Sequence, residues 1–211
     1  MWLWFFADIA ECSYYVGLEL NKKAARVAMD KGHHVMCLSF AEYAESHPES
    51  FDVVCSFQQL EHLVDPSEYF RASFRLLKPG GILITSVPSH DSSVGCLNEN
   101  ILNTPPHHLT CWKDETLRSF PSSFGYECMG IHHLALDKEH HKWFLSCLLL
   151  SGFAPGYPTQ LTPPSTTSRV KLKIVLCLLS LLGSSFMVPP CFRIPGHTVV
   201  SIHRKSLSDA G

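Results

Sequence analysis

Phe51-Asp-Val-Val-Cys-Ser-Phe57 and Ile82-Leu-Ile-Thr-Ser-Val87 are two short apolar runs, and what lies between them decides the fold. Asp65-Pro66-Ser-Glu68 stacks three helix-start signals: an N-cap acid, proline at the first helical position and an acid three residues after the cap. Phe70, Phe74 and Leu77 follow at helical spacing and predict one apolar helix face. Lys78-Pro-Gly-Gly81 then predicts a stop and a turn into the next strand. The same order runs backward toward the N-terminus. His34-Val-Met-Cys-Leu38 is strand-like, Lys22 to Lys31 is rich in helix formers, and Gly32 stands where a helix C-terminal glycine belongs. Tyr14-Tyr-Val-Gly-Leu-Glu-Leu20 predicts one more strand, closing on an acid. Two-sided apolar strands alternating with helices make a mostly parallel sheet covered on both faces. The class is α/β.

The pattern changes after Pro88. Residues 89–112 read as loop, Asp114 to Phe120 as a short helix, Gly125 to His133 as a strand and residues 139–150 as helical. Residues 151–168 are rich in Pro, Thr, Ser and Gly and predict an irregular connection before a long apolar helix. Gly196-His-Thr-Val-Val-Ser-Ile-His203 predicts a final strand. This organisation is one domain over residues 1–211. Its core covers 14–134, a helical insertion with a linker 135–195, and the final strand 196–204.

Composition narrows the function. A chain of 211 residues suits a single core, and 45% hydrophobic against 17% charged residues excludes a disordered tail. A net charge of −2 without a basic run argues against a nucleic-acid partner. The nine cysteines include no Cys-x-x-Cys pair, which predicts buried free thiols and a reducing, cytoplasmic setting. Met1 to Phe6 is apolar but lacks a basic lead-in, so a signal peptide is not expected. Ile174 to Val188 is short of the roughly 20 residues a spanning helix needs, which predicts a buried or surface-lying helix with membrane contact as the weaker alternative.

Several motifs together resemble a known family. Phe51-Asp-Val-Val-Cys-Ser-Phe-Gln-Gln-Leu-Glu-His62 is similar to the fourth-strand motif of class I S-adenosylmethionine-dependent methyltransferases. Arg75-Leu-Leu-Lys-Pro-Gly-Gly81, running into Ile82 to Pro88, resembles their motif before and along the fifth strand. Leu97-Asn98, Pro105-Pro-His-His-Leu-Thr-Cys-Trp112 and Gly125-Tyr-Glu127 look like the subgroup acting on small molecules and on sugar or lipid-like acceptors. The resemblance covers roughly residues 14–134. It implies a Rossmann-like, three-layer sheet whose last strand, near residues 197–203, runs antiparallel beside the one near 126–133, with S-adenosyl-L-methionine as cofactor and a small-molecule acceptor.

It also implies roles, because a ligand in such a sheet lies across the carboxyl ends of the strands. Glu19, followed by Leu20, would accept hydrogen bonds from the ribose hydroxyls. Phe40, Ala41 and Glu42 would border the adenine, although Glu42 reads equally well as an exposed acid at a helix start. Ser56, Phe57 and Gln58 would lie beside the sulfonium and amino-acid portion, with His62 facing the cofactor and Glu61 capping a turn. His107 and His108 are the candidate catalytic bases, histidine being suited to proton removal near neutral pH; a purely pocket-shaping role is the competing expectation. The adjacent pairs His33-His34, His132-His133 and His140-His141 predict no metal site, since neighbours on a strand point to opposite faces.

One element of the family pattern is absent. The sequence contains no Gly-x-Gly, the signature of the loop after the first strand that approaches the cofactor's amino-acid end. The expectation is a domain lacking that strand and loop, roughly forty residues by the size of one strand–loop–helix unit. The missing strand would belong between the one near residues 14–20 and the one near 51–57. Two functions follow: a methyltransferase with an unusual N-terminal part, or a truncated, non-catalytic remnant or binding module.

Overall fold

Asn21 begins the first helix by accepting the backbone N–H groups of Lys23 and Ala24. The helix, α1 (Lys22–Asp30), ends on a left-handed Gly32 with φ of +86°. There the Gly32 N–H bonds the Met29 carbonyl and the His33 N–H reaches the Ala28 carbonyl, the paired closure of a Schellman motif. A side chain at that φ would be strained, so the glycine is required by the turn itself. In the computed structural model this helix joins two very short strands, β1 (Gly17–Leu18) and β2 (Val35–Met36), which pair in parallel. The structure describes residues 14–92, 105–135 and 195–207.

The remaining elements follow in order: α2 (Phe40–Ser46), β3 (Phe51–Phe57), α3 (Pro66–Leu76), β4 (Leu77–Pro88), α4 (Asp114–Ser119), β5 (Tyr126–Ala135) and β6 (Pro195–Lys205). Among the described residues the strands form two sheets, β1–β2 and a four-stranded sheet in the order β3–β4–β6–β5. β3 and β4 are parallel, while β6 inserts antiparallel between β4 and β5. The fold is therefore α/β with a mixed sheet. β1 with β2 and β3 with β4 pair in parallel and the last strand returns antiparallel, as expected, but the two parallel pairs lie in separate sheets and the larger sheet is mixed rather than mostly parallel. The first two strands are shorter than their apolar runs, two residues each.

One local expectation fails. Lys78-Pro-Gly-Gly81 follows the end of the helix as expected, but it is not a turn leading into the next strand: it bulges within β4, where the register jumps from Phe51↔Leu77 to Val53↔Ile82. Gly81 makes this bulge possible, because a Cβ there would lie 2.9 Å from the Lys78 carbonyl and 3.1 Å from the Asp52 carbonyl. Leu77 accordingly belongs to the strand rather than to the helix face that Phe70 begins. Lys205, at the far end of β6, fastens the start of β4. Its buried ammonium donates to the Leu77 carbonyl at 2.7 Å and to Glu49 at 3.2 Å, and lies 4.4 Å above the Phe74 ring.

α3 carries the core. Asp65 caps it as expected, and its inner face buries Tyr69, Phe70, Ala72, Ser73 and Leu76. Phe70 meets the rings of Tyr69, Trp112, Phe120, Phe124 and Tyr126, with centroids 5.2–6.4 Å apart. Full burial of such a side chain stabilises by about 1.5–3 kcal/mol. Polar groups on this face are paired: Tyr126 donates to Ser73, and Tyr69 bonds Thr85 on β4. Burial pushes the Tyr69 phenol up to about 12 and the Cys55 thiol up to about 11, so both stay protonated at neutral pH. No helix among the described residues is long and apolar enough to cross a membrane. Ile174 to Val188 and the helix expected at 139–150 lie outside the described residues.

His203 makes the fold sensitive to acid. It is fully buried on β6, and its Nε2–H donates to the Leu117 carbonyl at 2.9 Å. Burial holds its pKa below the ordinary value, against the smaller upward pull of that bond. A folded pKa below the unfolded one leaves this stability complete above about pH 6.5, and it is lost as pH falls through that value toward the folded pKa. We expect the melting temperature to fall more steeply from about pH 7 to about pH 5 in the wild type than in His203→Gln. The glutamine amide can keep the bond to Leu117 without titrating. Equal slopes in thermal melts across that range would remove His203 as a source of acid sensitivity.

Candidate functional site

At the carboxyl end of β3 the chain leaves the sheet through an unusual backbone. Gln58 has φ of +51°, a left-handed conformation that costs a non-glycine residue of order 1 kcal/mol, and its N–H is held by the Ser86 carbonyl at 2.9 Å. Its side-chain amide nitrogen is buried without a hydrogen-bond partner. A single 3₁₀ turn, Leu60–His62, follows. This turn separates two neighbours sharply: the Glu61 side chain is 1% exposed and the His62 side chain 48%.

The loop that begins at Pro105 folds back onto this turn. Leu109 and Thr110 both donate their backbone N–H to the Glu61 carbonyl, at 2.8 and 3.2 Å. The Thr110 hydroxyl bonds the Leu60 carbonyl at 3.3 Å and accepts from the indole of Trp112 at 2.9 Å. Trp112 is itself buried and lies parallel to Ser89 at the end of β4. His62 adds the last link, donating its Nδ1–H to the His107 carbonyl. A carbonyl can only accept, so this bond places the proton on Nδ1 and leaves Nε2 of a neutral ring as a lone pair. The Leu-Glu-His and Pro-Pro-His-His motifs, 45 residues apart in sequence, are thus one unit.

The imidazoles of His62 and His108 meet edge to face with centroids 4.9 Å apart. His108 is half-buried, and its pKa lies below the usual histidine value, first through burial and then through the neighbouring His62 and His107. His107 is exposed and contributes its main chain to the link. Burial raises the Glu61 carboxyl above the usual carboxylate range, opposed more weakly by the residue's own backbone N–H and by His62. Neither Glu61 oxygen has a hydrogen-bond partner on another residue.

The other expected residues lie after β1, at the start of α2 and at the end of β3. Glu19 follows β1 half-buried, and one of its carboxylate oxygens accepts the Asn21 N–H at 2.8 Å. Leu20 beside it is 67% exposed. Phe40 opens α2 and stacks on Tyr69 with centroids 5.3 Å apart, and Ala41 is half-buried in the same turn. Glu42 completes a capping box with Ser39, whose hydrogen bonds hold its carboxyl below the usual range. Ser56 is buried and Phe57 half-buried at the end of β3. Sequence reasoning assigned Glu61 to a turn cap and so missed its burial. The available signal was an acid next to histidine, flanked by Leu60 and Leu63, which a surface turn would not favour.

Residues 4–85 match the family model described as a methyltransferase domain, Methyltransf_11. That stretch, under half of the chain, is similar to the methyltransferase domain family. Curated members of this family that match include a ubiquinone biosynthesis O-methyltransferase of Thiobacillus denitrificans, 41% identical over 71 residues and covering 31% of each chain. A second, from Pseudomonas fluorescens, is 58% identical over 38 residues, 18% of this chain and 16% of that one. The match thus spans under a third of these relatives' length. Among solved structures, a SAM-dependent methyltransferase from Archaeoglobus fulgidus aligns over 96% of this chain and 80% of its own, with a TM-score of 0.58 at 15% identity. The [4+2]-cyclase SpnF aligns over 96% of this chain and 70% of its own, with a TM-score of 0.55 at 15% identity. These two likenesses establish the methyltransferase fold and leave the chemistry to the site.

Thr110 is the test of the link between the two motifs. Thr110→Val keeps the shape and removes the acceptor of the buried Trp112 indole. An unsatisfied buried donor costs about 1–3 kcal/mol, so chemical denaturation should show a stability loss in that range. A variant as stable as wild type would mean that the loop is held by the Glu61 carbonyl alone.

Proposed function

We propose that this domain transfers the methyl group of S-adenosyl-L-methionine to a hydroxyl oxygen of a small, sugar or lipid-like acceptor. The observation that carries the proposal is the joining of the Leu-Glu-His turn to the histidine loop at the carboxyl end of β3, where ligands of open α/β sheets bind. The names of the curated relatives, O-methyltransferases of ubiquinone biosynthesis, support oxygen as the methylated atom.

In this reading Glu19 and Leu20 hold the ribose, and Phe40, Ala41 and Glu42 border the adenine. Ser56, Phe57 and Gln58, with His62, face the methionine portion. The Glu19 oxygen bonded to Asn21 leaves its second oxygen for a hydroxyl, whereas Glu42 has its carboxylate committed to Ser39, which favours a weaker part for it. The step is an in-line displacement. The acceptor oxygen forms a bond to the methyl carbon as the carbon–sulfur bond breaks, sulfur keeps the electron pair, and a base takes the hydroxyl proton. The protein's part is to align acceptor, methyl and sulfur and to exclude water. His108 is better suited than His107 to the base, because its half-buried ring lies against His62 and burial keeps it neutral.

The absence of any Gly-x-Gly supports a loose hold on the amino-acid half of the cofactor. It also favours the second reading, a non-catalytic relative or binding module. Calorimetry separates them at the first step. Wild type should bind S-adenosylmethionine weakly and Glu19→Ala should abolish the binding; equal affinities would take Glu19 out of the site. For catalysis, His108→Ala should lower kcat by about 10²–10⁴-fold and leave cofactor affinity unchanged, while His107→Ala should change kcat little. A His108→Ala enzyme with wild-type kcat and a raised acceptor KM would make this histidine a pocket wall rather than the base.

A further inference from the structure

We infer that Glu61, His62 and His108 form a binding site for one divalent transition-metal ion of the Zn²⁺ class. Their ligand-capable atoms all lie within 4.8 Å of one another, and the Glu61 oxygen stands 3.9 Å from His62 Nε2. The independent observation is the Glu61 carboxylate itself. Its side chain is 1% exposed, and both oxygens lack a hydrogen-bond partner on another residue. A buried carboxylate in that state is costly unless something pairs with it. A proton would remove the charge but leave the carboxyl group buried without a hydrogen-bond partner on another residue. A cation between Glu61 and the two imidazoles satisfies the carboxylate and the His62 lone pair together.

The surroundings of His62 fit this use. Metal-ligating histidines almost always donate the other ring N–H to a carboxylate, a carbonyl or water, which fixes ring and tautomer. The His62 Nδ1–H bond to the His107 carbonyl is such a support, and it aims Nε2 at Glu61. Two imidazoles and one carboxylate form a set that zinc uses with a fourth position open. Ligand atoms in that geometry stand about 3.4 Å apart for bonds near 2.1 Å. The shift needed is about an ångström, within reach of ring rotation at the half-exposed His62 and the half-buried His108. The adjacent histidine pairs of the sequence play no part in this site, which is assembled from two motifs that only folding brings together. If the domain methylates a hydroxyl as proposed above, the open position is where an acceptor oxygen would bind and the ion, by making that hydroxyl more acidic, would replace His108 as its activator, since a metal-bound imidazole has no lone pair left for a proton; that part of the inference rests on the methyl-transfer reading.

The test uses the ion alone. The full chain, stripped with chelator, is titrated with Zn²⁺ in a calorimeter in the absence of cofactor and acceptor. One equivalent should bind, and Glu61→Gln, His62→Ala and His108→Ala should each weaken it by about tenfold or more. His107→Ala should bind as wild type does, since only its main chain takes part. Circular dichroism in chelator shows whether each variant keeps its fold. Glu61→Gln, nearly isosteric, carries the decision if an alanine variant does not. No binding by the wild type, or binding undiminished in folded Glu61→Gln and His108→Ala, overturns the site and assigns any bound zinc to surface histidines. A chain that binds S-adenosylmethionine but no zinc loses this inference and keeps the methyl-transfer reading. A chain that binds zinc through these residues and no cofactor does the reverse.

Discussion

A single carbonyl oxygen, that of Glu61, accepts two backbone N–H groups from a loop more than forty residues away. The site depends on this pairing. A backbone carbonyl has two lone pairs, and buried main-chain groups left unpaired are expensive. Leu109 and Thr110 take both positions and so fix where the histidine loop crosses the end of β3. The turn that carries Glu61 is rigid for its own reasons. It begins after the left-handed Gln58 and is anchored beneath by fully buried Leu60. The histidines therefore sit on a short, doubly bonded crossing rather than on a free loop, and small changes at Thr110 or Trp112 are transmitted to them directly.

Much of the frame was legible in the residues, and for identifiable reasons. Asp65-Pro66 and Gly32 announce helix ends through local chemistry that tertiary structure does not override. The alternation of apolar runs with helices predicts parallel pairing, and β3 with β4 obeys it. Lys78-Pro-Gly-Gly81 misled because the same residues serve a turn and a bulge. Only the partner strand decides, and here Asp52 and Lys78, also joined by an ion pair, hold the segment in the sheet. The final strand was legible from its own pattern, but its insertion between β4 and β5 came from family order rather than from periodicity.

The site was legible as a set of motifs and not as a geometry. Leu-Glu-His and Pro-Pro-His-His are visible at once, whereas nothing in either predicts that one grips the other through main-chain bonds. Glu61 is the clearest case. A carboxylate in a polar-looking turn is ordinarily solvated, and its burial follows from a loop whose position no local signal encodes. Glu42 shows the converse. The spacing from Ser39 to Glu42 already spelled a capping box, and the structure contains one.

The place of β6 has a consequence for how the domain is made. β4 is paired on one side by β3, a near neighbour in sequence, and on the other by a strand that follows more than a hundred residues later. During synthesis the β4 edge, with Leu83 and Val87 at its centre, must wait for residues 195–205. Until then the row of N–H and C=O groups from Ile82 to Pro88 is open, and open apolar edges invite pairing between chains. Long-range closure of this kind is also slow, because the entropy of the intervening chain must be lost before the first contact forms. The step most exposed to aggregation is thus the arrival of the last strand, whose far end Lys205 fastens to the Leu77 carbonyl.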